Sequence, residues 1–522
     1  MNLSRRHYIA LGLVSSILLL SCEGTEKNSV VSWPHGVKYE IFVQSFADGD
    51  NDGKGDFKGL TSRLDYLSDL GINGIWLMPI MNSPTYHKYD VTDYKSIHPD
   101  YGSVDDFKKF VEEAHKRNIK VIVDLILNHT GADHPWFQAA MKDKSSPYRD
   151  YYVWAKKDSI RAQISKKSTS LDSDNITQWH PVNGDTLSEH YYGFFFGGMP
   201  DLNFDNAMVK KEFVDIGNFW LKDLKVDGFR LDAAKHIFPT ERAADNHAFW
   251  QEFRTSMETI KPDVYLVGEV WSKAEDVAPY LGGLPALFNF DMGYAITQVV
   301  SAGRDTVDLI GKYKTINDFY KSVTTEFLDA TFLKNHDQNR ILSELGGNES
   351  KMRVAAGILL TLPGTPYLYY GEEIGMLGVK PDEYIREPFV WDVDSADEVQ
   401  TYWEQPKYSN AQTVVPLNRQ LNDPLSIYNF YKNLIHYRNS SKALTFGDIE
   451  PTEFRITEVI SFKRHYDDEQ LLILNNISDV EVTIQLTGKE NAFNDITYDS
   501  NGTSELTEDG LRLPAFSTVI LK

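Results

Sequence analysis

The chain has 522 residues, with 75 Asp and Glu against 53 Lys and Arg, for a formal net charge of −22. That balance excludes nucleic acid as a partner, because a phosphate backbone needs clustered cations, and it suits an uncharged substrate. With 42% hydrophobic and 13% aromatic residues and no low-complexity block, the chain is long enough for one large domain and at least one smaller one.

Arg5 and Arg6 precede an apolar run over 9–20 that ends in Leu19-Leu20-Ser21-Cys22. The run is too short to span a membrane as a stable helix, and 1–21 reads as an export signal. Its end resembles a bacterial lipobox, in which the signal is cut before a cysteine that is then lipidated. Cys22 is the only cysteine, so no disulfide forms within one chain. The expectation is an exported, membrane-anchored lipoprotein at the cell surface or periplasmic face. It would touch the membrane through lipid on Cys22 alone, with 22–35 as the tether.

From about residue 36, apolar β-type runs alternate with helical stretches, the pattern of an α/β domain with a parallel sheet. Eight strands are expected at 37–45, 74–79, 120–127, 228–233, 264–270, 287–291, 330–335 and 366–370. Leu60, Leu64, Leu67 and Leu70 recur at helical spacing, and Ser103 with Asp106 forms a capping box ahead of Phe107, Phe110, Val111 and Ala114. No Gly-rich phosphate turn follows the first strand, so eight strand–helix units favour a closed (β/α)8 TIM barrel over an open doubly wound sheet. The barrel is expected over 36–129 and 209–439, with an inserted domain at 130–208, too long for a loop. After 440 the pattern becomes short alternating segments, an all-β terminal domain to 522.

Polar clusters fall at the C-terminal ends of four strands, where a barrel builds its active site. They are Asp124-Leu125-Ile126-Leu127-Asn128-His129, then Arg230 with Asp232, then Gly268-Glu269-Val270-Trp271, and Asn335-His336-Asp337. Arg230 and Asp232, two residues apart, share one strand face, and a permanent guanidinium keeps a neighbouring carboxylate ionised. By itself such a pair reads as structural. Beside three other polar strand ends it reads as a nucleophile, with Glu269, followed by Val270 and Trp271, as the carboxyl whose pKa apolar surroundings raise. An ionised and a protonated carboxyl facing one another suit retaining glycoside hydrolysis.

In order and spacing these segments resemble the signature motifs of the α-amylase family, with Met199-Pro200-Asp201-Leu202-Asn203 as a fifth at the end of the insertion. The resemblance implies a barrel, an inserted domain B and a C-terminal antiparallel β-sandwich. It implies Asp232 as nucleophile, Glu269 as general acid/base and Asp337 as a third carboxylate that binds sugar hydroxyls. It places His129, His336 and Tyr89 against the sugar, with Tyr89 and Asp90 in the matching segment Lys88-Tyr89-Asp90-Val91. Lys235 and His236 would grip the leaving sugar, as in members that cut internal α-1,4 bonds. Asn128 would ligate a second Ca²⁺ at the junction with domain B.

A separate acidic loop carries Asp48, Asp50, Asp52 and Asp56 at positions one, three, five and nine. Hard oxygens at that spacing suit a structural Ca²⁺, with Lys54 offering its carbonyl. An EF-hand is excluded because Gly59 stands where that loop needs a bidentate Glu. The expected protein is a monomeric endo-hydrolase of α-1,4-glucosidic bonds in starch-like α-glucan or maltooligosaccharide. The alternatives are an α-glucosidase or glucan-transferring, cyclomaltodextrinase-like enzyme, and a non-catalytic glucan-binding surface lipoprotein.

Overall fold

The computed structural model describes residues 29–167, 177–184, 189–392 and 397–522. The expected export signal and Cys22 lie outside the described residues. Eight parallel strands run in chain order as Lys38–Ile41, Gly74–Leu77, Lys120–Leu125, Gly228–Leu231, Tyr265–Gly268, Ala286–Phe288, Leu328–Ala330 and Tyr367–Tyr369. Each pairs with the next through the seventh, and the eighth pairs with the first. The ring closes between the seventh and eighth by a bridge from Phe332 to Tyr367, supported by Thr365 N donating to Asp329 O at 2.8 Å. The strands are almost wholly buried, as expected where helices cover one face of a parallel sheet and the barrel interior the other.

All eight strands are shorter than expected; the first, expected over 37–45, ends at Ile41 because Val43–Phe46 forms a helical turn, and two others are also shifted. The sixth begins one residue earlier and ends at Phe288, because the side chain of Asn289 accepts from Met292 N and caps the helix Phe290–Ala302. The seventh begins at Leu328 rather than 330 and stops at Ala330. The chain beyond it meets its neighbour only at Phe332. The leucine repeat is split into two helices, Phe57–Ser62 and Leu64–Leu70, at Arg63, yet all four leucines are fully buried. The capping box of Ser103 and Asp106 opens the helix Val104–Lys116.

Between the third and fourth barrel strands lies a three-stranded antiparallel sheet of Trp154–Lys156, Trp179–Pro181 and Glu189–Tyr192. Bridges from His129 to Asp201 and from Tyr152 to Leu202 pin the return of this insertion to the mouth of the barrel. The C-terminal β-sandwich has a five-stranded and a three-stranded sheet, with Val459, Leu472, Leu474, Ile484, Leu511 and Leu513 among the residues buried together. Arg464 of the sandwich fastens it to the barrel, and Arg438, on the barrel helix Ile427–Ser440, ties that helix to the same segment. Arg438 donates to the carbonyls of Leu360, Leu362 and Gly364, and Arg464 to those of Thr361, Leu444 and Gly447. Leu360, Thr361 and Leu362 lie at the C-terminal end of the helix Glu349–Thr361, where the helix dipole favours a cation. No helix among the described residues is long and apolar enough to cross a membrane.

Candidate active site

The fourth strand delivers the centre of the site. Gly228 starts it where a Cβ would lie 2.1 Å from Tyr265 O, so only glycine lets the two strands pair there. Arg230 follows with no exposed surface, then Asp232, and Ala233 at φ 48° turns the chain away from the strand. Arg230 Nη1 donates to Asp232 Oδ1 at 2.7 Å and to both oxygens of Asp124, its register partner on the third strand, at 2.9 and 2.8 Å. Arg230 Nη2 lies 2.7 Å from Glu269 Oε2 at the end of the fifth strand. Two carboxylates from neighbouring strands thus meet opposite terminal nitrogens of one guanidinium.

One positive charge therefore serves three carboxylates. Burial pushes Asp124 above the usual carboxylate range against the pull of Arg230, and the charge of Asp232 pushes it further. Asp124 has no exposed surface, whereas Asp232 and Glu269 keep 10% and 11% of their side chains open. These two, slightly open at the mouth, are the ones a substrate can reach.

A second group stands across the mouth. His336, wholly buried, presents Nε2 to Tyr89 Oη at 2.5 Å and to Asp337 Oδ2 at 3.2 Å. Its Nδ1 meets Glu40 Oε1 on the first strand. Arg386 Nη2 lies 3.0 Å from Asp337 Oδ1, and the Tyr89 ring stacks on His336. His129 contacts Asn128 Oδ1 through Nδ1 and Tyr89 O through Nε2. Burial pushes its pKa down to about 3, which keeps the ring neutral, so its single N–H serves one of these two acceptor oxygens at a time.

Other expected residues make contacts within the protein. Asp90 accepts from the hydroxyls of Ser83 and Thr85 and so braces its own loop. Lys235 Nζ donates to Trp271 O at 2.7 Å, and the His236 ring stacks on Phe194 at 3.9 Å. Asn128 Nδ2 donates to His236 O at 2.7 Å and to Asp201 Oδ2 at 3.3 Å. With its oxygen on His129, both ends of that amide are engaged within the protein, and the contact to Asp201 joins the barrel to the insertion. Burial pushes Asp201 up to about 7.

Sequence reasoning assigned no role to Glu40, Asp124, Trp76 or Arg386. Asp124 opened a quoted motif, and its place at a strand end was the available signal. Glu40 was legible only as a charge inside an apolar strand. Trp76 Nε1 donates to Asp124 at 3.3 Å, and the indole lies 5.1 Å from the Arg230 guanidinium. Nothing around Trp76 or Arg386 in the sequence marks these contacts.

Residues 40–447 match the profile described as alpha amylase, catalytic domain, and residues 459–520 match the alpha-amylase SusG C-terminal domain. The chain belongs to the α-amylase family. It is 42% identical to alpha-amylase 3 of Dictyoglomus thermophilum over 94% of this chain and 93% of that protein. A 4-alpha-glucanotransferase of Thermotoga maritima is 34% identical over 86% of this chain and 97% of that protein. The crystal structure of an alpha-amylase from H. orenii superposes with a TM-score of 0.86 at 44% identity, covering 93% and 99% of the two chains. The chain is thus a glycoside hydrolase enzyme, and family membership accounts for the shared ordering of the strand-end groups.

Members of this family commonly bind calcium, and the acidic loop of this one offers a site. Asp48, Asp50 and Asp56 bring one carboxylate oxygen each within 4.8 Å of one another. Asp48 accepts from the backbone N–H groups of Asp50, Asn51 and Gly53, and Asp56 from those of Gly49, Lys58 and Gly59. These bonds aim the carboxylates, and the all-oxygen donor set fits a hard cation. Burial pushes Asp56 up, backbone bonds oppose it, and Asp50 adds like-charge repulsion. Asp52 accepts from Lys54 N at 2.8 Å, and the Lys54 ammonium pairs with Asp100 at 2.9 Å. Neither side chain is part of the three-carboxylate group.

Proposed function

We propose that this enzyme hydrolyses internal α-1,4-glucosidic bonds of starch-like glucans with retention of configuration. The observation that carries the reading is the sharing of Arg230 by Asp232 and Glu269 at 2.7 Å each. It sets two largely buried carboxyl groups, each with a small opening to the mouth, on one cation, the pairing that double displacement uses.

In this mechanism Glu269 donates its proton to the leaving glycosidic oxygen while Asp232 attacks the anomeric carbon. The C–O bond to the leaving sugar breaks, and an ester to Asp232 forms. Glu269, now ionised, takes a proton from water, and the oxygen of that water displaces Asp232 from the same carbon. Arg230 keeps Asp232 ionised. Three carboxylates around one guanidinium leave excess negative charge, which favours a retained proton. Asp337 with His336, and His129 with Tyr89, bind hydroxyls of the sugar being cleaved.

Time-resolved NMR of a long α-1,4 glucan digest tests the reading. The α-anomer is expected first, together with mixed maltooligosaccharides from internal cuts. Release of the β-anomer, or of glucose alone, would overturn it.

A second reading, glucan transfer, has its own support. The half-buried Phe195 ring lies 5.5 Å from His129 and 5.9 Å from His236, an apolar surface that favours a sugar over water as the second acceptor. Products longer than a short maltooligosaccharide substrate would establish it.

The same proposal includes a structural Ca²⁺ on Asp48, Asp50 and Asp56, a monomeric enzyme, and export with lipid attachment at Cys22. The anchor rests on the sequence of residues 1–22. Fatty-acid labelling of intact cells that disappears in Cys22→Ala tests it.

A further inference from the structure

Glu40 lies within the first barrel strand, 2% exposed, in register with Trp76 on one side and Tyr369 on the other. A carboxyl placed there costs burial free energy unless it is hydrogen-bonded. Its partner is His336 Nδ1, 296 residues away in sequence. The opposite ring nitrogen, Nε2, faces Tyr89 Oη and Asp337 Oδ2. Tyr89 Oη in turn lies 3.4 Å from Asp124 Oδ2 and 3.4 Å from Arg230 Nη1. A single line of polar contacts therefore runs from strand one, through His336 and Tyr89, to the guanidinium that holds Asp232.

We propose that Glu40 is a positioning residue, which donates a hydrogen bond to His336 Nδ1 and so keeps the ring proton on Nε2, facing Asp337 and the sugar. An ionised Asp337 oxygen only accepts hydrogen bonds, so a proton on Nε2 is the arrangement that makes the 3.2 Å contact favourable. A neutral ring protonated there must accept at Nδ1, and Glu40 is the group in place to donate. Burial supports the neutral pair from both sides, pushing Glu40 up and His336 down. The role rests on the reading of His336 and Asp337 as the groups that bind the cleaved sugar. His336 would then offer a fixed donor to the hydroxyl oxygen that Asp337 also engages.

Gln at this position still donates through its amide, whereas Met fills similar space and donates nothing. The full-length protein labelled with ¹⁵N-histidine reports the tautomer directly, with the His336 signals identified by comparison with His336→Asn. The expected result is Nε2 protonation in the wild type and in Glu40→Gln, and loss of that preference in Glu40→Met. On a long α-1,4 glucan, kcat/KM is expected to stay within about threefold in Glu40→Gln and to fall about 10- to 100-fold in Glu40→Met, the scale of one lost buried hydrogen bond. Nδ1 protonation in the wild type, equal losses in the two variants, or full activity of a folded Glu40→Met each overturn the proposal. If Glu40→Met does not fold, the wild-type and Glu40→Gln nitrogen shifts decide it. A wild-type protein that leaves glucan uncut would refute the functional reading while the tautomer still tests the Glu40–His336 contact.

Discussion

Arg230 and Glu269 form an ion pair of 2.7 Å on the guanidinium nitrogen opposite the one that meets Asp232. The two carboxyl groups are thus held by one side chain but are not equivalent. Asp232 shares its nitrogen with Asp124, whereas Glu269 follows the fifth strand and is flanked by Val270 and Trp271.

Asp232→Asn is expected to lower glucan hydrolysis by at least about 10⁴-fold, because no nucleophile remains. Glu269→Gln removes the proton donor, a loss of roughly 10²- to 10⁴-fold on glucan. On an aryl glucoside with a good leaving group the first step needs no proton, so Glu269→Gln should form the glycosyl-enzyme and show a burst of aryl release. Asp232→Asn should show none. Stopped-flow absorbance of the released phenol distinguishes the two, and a burst in Asp232→Asn would contradict the assignment.

Arg230→Met leaves Asp124, Asp232 and Glu269 without their common cation. Breaking a buried ion pair from one side costs about 3–5 kcal/mol. Without the guanidinium, the carboxyl pKa values in the folded state rise above their unfolded values. The deficit should therefore be smallest at acid pH, where all three are protonated, and grow as pH rises through about 4 and beyond. Urea unfolding at pH 5 and pH 8 measures this. An equal deficit at both would show that lost packing on Trp76, not charge, sets the cost.

The strand-end positions of Asp232 and Glu269 were legible because a parallel barrel exports chemistry to one end of its strands, and each lies just past an apolar run, whereas Asp337 lies on the loop beyond a strand that ends at Ala330. Arg230 was legible from its two-residue offset to Asp232. Glu40 was not, since a strand residue's partner is set by the closure of the barrel, and His336 is 296 positions away. Arg386 reaches Asp337 across a loop that follows the eighth strand, a path without periodicity. The end of the sixth strand was misplaced for a local reason, because Asn289 caps a helix where the apolar run continues. The roles of Lys235 and Asn128 depend on which atoms they meet, here Trp271 O, His236 O and Asp201, and spacing alone carries no such information.

Away from the site, Asp227 is a buried carboxylate whose charge matters to stability. His115 lies 2.6 Å from it, Lys120 3.1 Å and Lys261 3.2 Å, and Val121 N donates at 2.9 Å. Burial acts to raise its pKa, but the bonds and charges of these partners carry it down to about 2 from 3.8. A depressed carboxylate pKa contributes stability that is fully present above the unfolded value and lost as pH falls through the folded one. The contribution is about 2 kcal/mol at neutral pH, vanishing between about pH 4 and pH 2. Asp227→Asn should lower stability by about that amount at pH 7 and show a flatter acid limb. Equal slopes in wild type and variant from pH 4 downward would refute the assignment.

The acidic loop makes a prediction of a different kind, because the stabilisation it confers depends on concentration. Three carboxylate oxygens within 4.8 Å repel one another unless a cation sits between them, and backbone N–H bonds already orient Asp48 and Asp56. Calcium at about 100 times its dissociation constant should raise the unfolding free energy by about 2.7 kcal/mol. Chelation with EDTA should lower Tm reversibly, and calcium should restore it. Magnesium should restore less, since it demands a tighter octahedral geometry. Asp50→Asn removes a ligand charge from the exposed member of the group, so it should abolish the calcium response while leaving the EDTA-treated Tm unchanged or slightly raised. Differential scanning calorimetry on the calcium-loaded and chelated forms reads all of these. A calcium response that survives in Asp50→Asn would place the ion elsewhere, and a wild type indifferent to EDTA would leave the three carboxylates as a self-contained turn.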